Sequence, residues 1–205
     1  MTHCRSARPA PLRIALTGGP GGGKSTALDL FQRELGSRVV AVPEVATLLF
    51  RGGFPRSSDA QARRCAQAAI YHVQKQLEEA HRALHPSRAL ICDRGTVDAA
   101  AYWPEDAGDF FVTVGSTARA ELSRYDHVLF FESAAIGGHG LGDNNPSRTE
   151  TGKEAVAVDA KLRALWSAHP RFTLVPHDAS FLNKISAGLT ALQAIFAERP
   201  LASGD

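Results

Sequence analysis

A single α/β domain, built on a parallel sheet with helices over both faces in three layers, is the fold class that this sequence predicts. Five short apolar runs of strand length alternate along the chain with helical patterns. A glycine-dense turn follows the first run directly, and 205 residues with 44% apolar and 21% charged side chains suit one globular unit of ordinary composition. Strands covered on both faces read as near-continuous apolar stretches, and the intervening helices supply the crossovers that parallel neighbours need.

The first residues, Met1 to Pro11, are basic but lead into no apolar segment. They are expected to form a frayed tail (1–11) ahead of a domain spanning 12–205. Strands are predicted at Arg13 to Thr17, Val39 to Val42, Ala89 to Cys92, His127 to Phe131 and Phe172 to Val175. A helix should run from Lys24 to about Leu35 and stop at Gly36, a favoured helix-ending residue. Ser58-Asp59-Ala60-Gln61 reads as a capping box opening a long helix that continues to about Leu84, before Pro86. Thr151-Gly152-Lys153-Glu154 is a second such box. Its helix carries Ala155, Val158, Leu162, Leu165 and Trp166 on one stripe, and the last helix repeats the pattern with Phe181, Ile185, Leu189, Leu192 and Ile195. Both stripes are expected to be core. Between them and the fourth strand, Glu132 to Ser147 is rich in glycine and asparagine and suits a mobile loop, a lid segment at about 132–150.

Several function classes fall away on composition. Basic residues exceed acidic ones by only two, which leaves no global field for nucleic acid or an anionic membrane. No stretch approaches the ~18 apolar residues of a membrane span. Cys4, Cys65 and Cys92 are odd in number and far apart, so free thiols in a reducing compartment are expected, with the cytoplasm as location.

The nine residues Gly18-Gly19-Pro20-Gly21-Gly22-Gly23-Lys24-Ser25-Thr26 contain G-x-x-x-x-G-K-[ST] directly after the first strand. Glycines let consecutive backbone N–H groups face an anion, and the following helix adds its positive end. Lys24 is then placed to reach the β- and γ-phosphates of a nucleotide, and the Ser25 hydroxyl to ligate Mg²⁺. A glycine-rich turn without a ligand would carry a large entropic cost and no need for the Lys-Ser pair.

Two further strands end in an acid, Ala89 to Asp93 and Val128 to Glu132. Asp93 is preferred as the metal-orienting carboxylate because the adjoining Arg94 can neutralise a phosphoryl group; Glu132 is read as a solvated strand end or a helix N-cap. Glu44 closes the second strand, on the side where parallel sheets carry their crevice. It is a candidate base, or else an acid favouring the dipole of a short helix from Val45 to Phe50. Arg63, Gln67, Ile70 or Tyr71, and Gln74 fall on one face of the long helix, a strip that either grips a small polar molecule or faces solvent. Arg148, at the exit of the glycine-rich segment, either swings over a polyphosphate or is an exposed loop residue. His81 and His85 stand at i, i+4 but lack a third metal ligand, and are read as offsetting a helix dipole.

Together Thr17 to Thr26, Pro43-Glu44-Val45-Ala46, Ala66 to Ile70, Asp93-Arg94-Gly95 with Asp98 and Tyr102-Trp103-Pro104, and Arg148-Thr149-Glu150 resemble the P-loop kinase-like proteins of the AAA_28 type, over roughly residues 12–197. Relatives of that type include ribosylnicotinamide kinase, deoxynucleoside kinases and thymidylate kinase. The resemblance implies a sheet order 2-3-1-4-5, with a nucleotide at the first turn and an acceptor under the long helix. It implies that Glu44 activates an acceptor hydroxyl, that Asp93 and Arg94 serve metal and phosphate, and that Gln67 reads a base. The segment from Glu132 to Ser147 departs from deoxynucleoside kinases in carrying no arginine before Arg148.

Two functions follow. One is a phosphotransferase moving the γ-phosphoryl group of Mg-ATP to a small nucleoside- or nucleotide-like acceptor, with Lys24, Arg94 and Arg148 bearing charge and Glu44 or Asp93 taking the proton. The other is an ATP-hydrolysing switch that signals to a protein partner. No Asn/Thr-Lys-x-Asp guanine reader follows the fourth strand, and little chain remains for the helical lid of a ring-forming ATPase.

Overall fold

The computed structural model describes residues 11–137 and 152–198. Among them five parallel strands form one sheet, β1 (Arg13–Thr17), β2 (Val39–Val42), β3 (Ala89–Asp93), β4 (His127–Phe131) and β5 (Phe172–Val175), in the order β2-β3-β1-β4-β5. This is the order that the resemblance implies. The helices are α1 (Lys24–Leu35), α2 (Val45–Arg51), α3 (Ala60–Leu84), α4 (Asp98–Ala101), α5 (Ala107–Thr113), α6 (Ala118–Leu122), α7 (Gly152–Trp166) and α8 (Phe181–Glu198).

Strand periodicity divides the core between the two faces. Ala15, Leu90, Cys92, Val128 and Phe130 join Tyr71, Trp103, Phe110, Leu162 and Trp166 on one face. Ile14, Leu16, Ile91, Leu129 and Phe131 join Phe31, Ile185 and Leu192 on the other. The first face is therefore covered by α3 to α7 and the second by α1 and α8. Because the chain runs from β1 to β2 and β3 on one side of it and then crosses to β4 and β5 on the other, a crevice is left beyond the carboxyl end of β1.

Local signals explain most boundaries. Gly36 ends α1 at φ 53° with its N–H on the Gln32 carbonyl. The long helix opens one residue later than the capping-box reading placed it: Asp59, not Ser58, is the cap, its carboxylate accepting from the Ala62 N–H at 2.8 Å. β3 extends through Asp93. The short helices α4, α5 and α6 have no sequence expectation, since four to seven residues are too few to display a helical period.

Two stripe residues behave differently from the core reading. Phe181 is 49% exposed at the start of α8, with its ring edge over Gly23. In α7 the stripe includes a buried acid, Asp159, beside Ala155, Leu162 and Trp166. Cys65 and Cys92 are free thiols; Cys4 lies outside the described residues. No helix among the described residues is long and apolar enough to cross a membrane.

Candidate active site

The turn after β1 needs glycine for a stated reason. Gly18, Gly21 and Gly23 have φ of 128°, 75° and 85°, the left-handed region that side chains resist. A Cβ on Gly22 would stand 2.7 Å from the Phe131 carbonyl oxygen, so the loop packs directly on the end of β4. Gly23 hands over to α1, whose first residues Lys24, Ser25 and Thr26 face the crevice together with Pro20 to Gly23. The Lys24 Nζ donates to the carbonyls of Gly18 and Gly19, both at 2.8 Å. Burial, and then the nearby Arg94, pull its ammonium down to about 7.

Behind the loop stands a clamp. The Asp159 Oδ1 accepts from the Gly19 N–H at 2.9 Å and from the Ser133 N–H at 2.8 Å, and the Ser133 hydroxyl donates to the Pro20 carbonyl at 2.5 Å. One acid on α7 thus fixes the loop against the end of β4. Asp159→Ala leaves two buried N–H groups unsatisfied at about 1–3 kcal/mol each, so a loss of about 3 kcal/mol and a melting point lower by roughly 6–12 °C are expected. Asp159→Asn keeps an acceptor oxygen and is expected to retain most of the stability. Melting curves of both variants check this, and equal losses in the two would refute the clamp.

At the end of β3, Asp93 and Arg94 turn into the crevice. The Ser25 hydroxyl lies 3.4 Å from the Asp93 Oδ2, two hard oxygen donors side by side. Burial, then the Glu44 carboxylate, push the Asp93 carboxyl up to about 6. Arg94 is the non-glycine residue with positive φ, 69°, among the described residues, and such strain concentrates at functional sites. Its N–H donates to the Leu16 carbonyl at 2.9 Å. Its guanidinium donates to the Glu44 Oε1 at 2.5 Å and the Asp98 Oδ2 at 3.0 Å. Asp98 in turn accepts from the Thr17 hydroxyl at 2.8 Å and the Trp166 indole at 2.7 Å. Burial opposes the Arg94 charge, but the Tyr102, Glu44 and Asp98 side chains outweigh it and raise its pKa.

Glu44 occupies both of its candidate positions, cap of α2 and wall of the crevice. Its carboxylate also accepts from the Thr47 hydroxyl at 2.5 Å. Burial pulls its carboxyl up, while the Arg94 charge and the Thr47 hydroxyl prevail and hold it below the ordinary carboxylate value.

These groups meet in one cleft of about 1290 Å³, bounded by the loop on one side and by α2 and α3 on the other. Arg63, Gln67, Ile70 and Gln74 line it. Tyr71 does not: it is fully buried in the core, its hydroxyl donating to the Glu121 Oε1 at 2.7 Å. One residue of helix is 100°, and the packing of α3 turns Ile70 to the cleft and Tyr71 to the sheet. Gln74 is spent on the Glu78 carboxylate at 3.0 Å and the Arg94 carbonyl at 3.4 Å.

Glu132 is no solvated strand end. Its side chain is 13% exposed and accepts from Arg163 at 3.1 Å and from the His177 N–H at 2.8 Å, so it braces β4 against α7 and the segment after β5. His81 and His85 stack at 6.1 Å, and no group of three or more metal-ligating side chains occurs among the described residues. Arg148 and the lid segment after residue 137 lie outside the described residues. Asp159 and Ser133 carried no functional signal in the sequence beyond one acid interrupting an apolar stripe. Asp98 was detectable as an acid four residues after Arg94.

The model of the AAA_28 family, described as an AAA domain, matches residues 13–180. Among solved structures, the chain is similar to the deoxyadenosine kinase from M. mycoides with bound dATP, at 14% identity and a TM-score of 0.61, covering 89% of this chain and 99% of that one. At that identity the likeness bears on the fold, which is that of kinase-type P-loop NTPases. No curated protein matches the sequence.

Proposed function

Because the chain belongs to the AAA_28 family, we propose that it is an ATP-binding phosphotransferase that moves the γ-phosphoryl group of Mg-ATP to a small nucleoside- or nucleotide-like acceptor. The observation that carries this reading is the cleft with two unlike walls. A glycine loop with Lys24 forms one, a polar helix face with Arg63 and Gln67 forms the other, and Glu44, Asp93 and Arg94 stand between them. A hydrolytic switch needs the first wall alone. The likeness to a deoxyadenosine kinase supports the same choice.

In this reading the backbone N–H groups of Gly21 to Thr26 and the Lys24 ammonium hold the polyphosphate. Ser25 and Asp93 fit a small hard cation that takes few protein ligands, and Mg²⁺ bound there would neutralise charge on the phosphates. Arg94, gripped by Glu44 and Asp98, presents a charge whose position is set before any substrate arrives. Glu44 accepts the proton of an acceptor hydroxyl. Gln67 and Arg63 orient the acceptor.

A screen of nucleosides, nucleotides and small alcohols for stimulated ADP release tests the proposal. Stimulation by a small molecule, with a phosphorylated product, is the expected result. Release stimulated by a protein partner and by no small molecule would assign the switch instead.

A further inference from the structure

Gln74 is the last residue of α3 to line the cleft, and one turn further on Glu78 is fully buried. Both hydrogen bonds of Gln74 are made by a single atom, the amide nitrogen, which donates to the Glu78 Oε1 at 3.0 Å and to the Arg94 carbonyl at 3.4 Å. Neither partner can donate in return. Glu78 is a carboxylate gripped by the Arg13 and Arg124 guanidinium groups and by the Tyr125 hydroxyl, and a backbone carbonyl offers lone pairs alone. Turning the amide over would set its oxygen against two acceptors, so these contacts fix which end of Gln74 faces inward.

The amide oxygen is left over. Oε1 has no partner among the described residues, and it is not one of the side-chain atoms that the fold seals away unpaired. The 2% of Gln74 that stays exposed therefore includes this oxygen, which opens onto the cleft as an acceptor of fixed direction. Gln67, two turns back along the same face, differs, for no hydrogen bond holds its amide among the described residues. A free amide turns either its oxygen or its nitrogen to a ligand, whereas a held one accepts and cannot donate. Discrimination between two ligands that differ by one donor group thus falls to Gln74, because a bound ligand without the donor excludes water and leaves the oxygen unpaired.

We propose that Gln74 is a specificity-determining residue for a nucleoside acceptor, its Oε1 accepting from an exocyclic amino group of the base or from a sugar hydroxyl other than the one phosphorylated. This rests on the reading of the site as a phosphotransferase. The requirement shared by both sources is an N–H or O–H donor at the Gln74 end of the cleft, where the bond to the Arg94 carbonyl holds the amide beside the end of β3.

Pairs of probes that differ by one donor group test this: adenosine with purine riboside, cytidine with pyrimidin-2-one riboside, and adenosine with 2′-deoxyadenosine, each read as kcat/KM for ADP release. The first two pairs remove the exocyclic amino group and the last a sugar hydroxyl, so they separate the two sources of the donor. In the unaltered protein the complete member of the amino pairs or of the sugar pair is expected to be used about tenfold or more efficiently than its partner. Gln74→Lys keeps donors for Glu78 and the Arg94 carbonyl but has no acceptor, so that ratio should fall toward one, chiefly through the KM of the complete member. Gln74→Met, which keeps neither end of the amide, should lose the same ratio, and it stands in where lysine prevents folding. A Gln74 that only held Arg94 in place would lower both members of a pair alike. Equal use of both members of every pair by the unaltered protein, a ratio that the folded variants leave unchanged, or use of some other molecule of the wider screen and of none of these nucleosides overturns the assignment and leaves phosphotransfer standing. Absence of ADP release with every small molecule of the wider screen overturns phosphotransfer and the assignment together.

Discussion

Lys24→Ala is expected to lower phosphotransfer on the order of 10²- to 10³-fold while the protein still folds. Removing one preorganised electrostatic donor costs about 2.7–4 kcal/mol of transition-state stabilisation. Folding should suffer little, because an ammonium that burial and Arg94 pull down to about 7 is one whose charge the folded state disfavours. The same shift carries a pH dependence whose sign can be stated. In the free protein Lys24 is half neutral near pH 7; beside an anionic polyphosphate its pKa must rise, so ATP binding takes up a proton above pH 7 and weakens as pH climbs further. Calorimetry at pH 8 in two buffers of different ionisation enthalpy measures that uptake, and Lys24→Ala should abolish it. Turnover in Lys24→Ala equal to that of the parent would remove Lys24 from the machinery.

Glu44→Gln is expected to lower kcat by about 10²- to 10⁴-fold with Mg-ATP affinity close to the parent's, the range of a lost general base. The amide keeps an oxygen for Arg94 and a donor for the Thr47 hydroxyl, which can rotate to accept it. Arg94 also remains tied to Asp98 at 3.0 Å, so its position should survive. Because Glu44 is held below the ordinary carboxylate value, it stays ionised through the neutral range. Asp93, lifted to about 6 in the free protein, instead gains a proton as pH falls through that value, so Mg²⁺ should bind more weakly and turnover at limiting Mg²⁺ should decline on the acid side there. That acid limb should move to lower pH in Glu44→Gln, because the Glu44 carboxylate is one of the groups that lift Asp93. Steady-state kinetics across pH separate the two carboxylates, and a Glu44→Gln protein as fast as its parent would leave Glu44 as a helix cap that holds Arg94.

What was legible in the chain is what rests on neighbours in sequence. All five strands stand where apolar runs placed them, because a strand buried on both faces must be apolar nearly throughout. The phosphate loop was legible because glycines with φ of 128°, 75° and 85° are needed wherever that turn is made. The helix stop at Gly36 followed from the same backbone property.

Decisions that depend on how a helix is rotated, or on residues distant in the chain, came only with the assembled fold. Both Ile70 and Tyr71 satisfied the helical spacing, and the sheet beneath α3 selected Ile70 for the cleft and Tyr71 for the core. Asp159 is separated from Gly19 by 140 residues, and an isolated acid in an apolar stripe gives no sign of whose N–H it will meet. Glu132 read as a solvated acid because nothing near it in sequence reveals Arg163 and the His177 N–H as its donors. Glu44 and Arg94, 50 residues apart, become one charged unit because β2 and β3 are adjacent and parallel, so both strands deliver their last residues to the same edge. Parallel pairing brings carboxyl ends together whatever the side chains are. Local sequence chose the groups that stand there, and the strand order chose which of them meet.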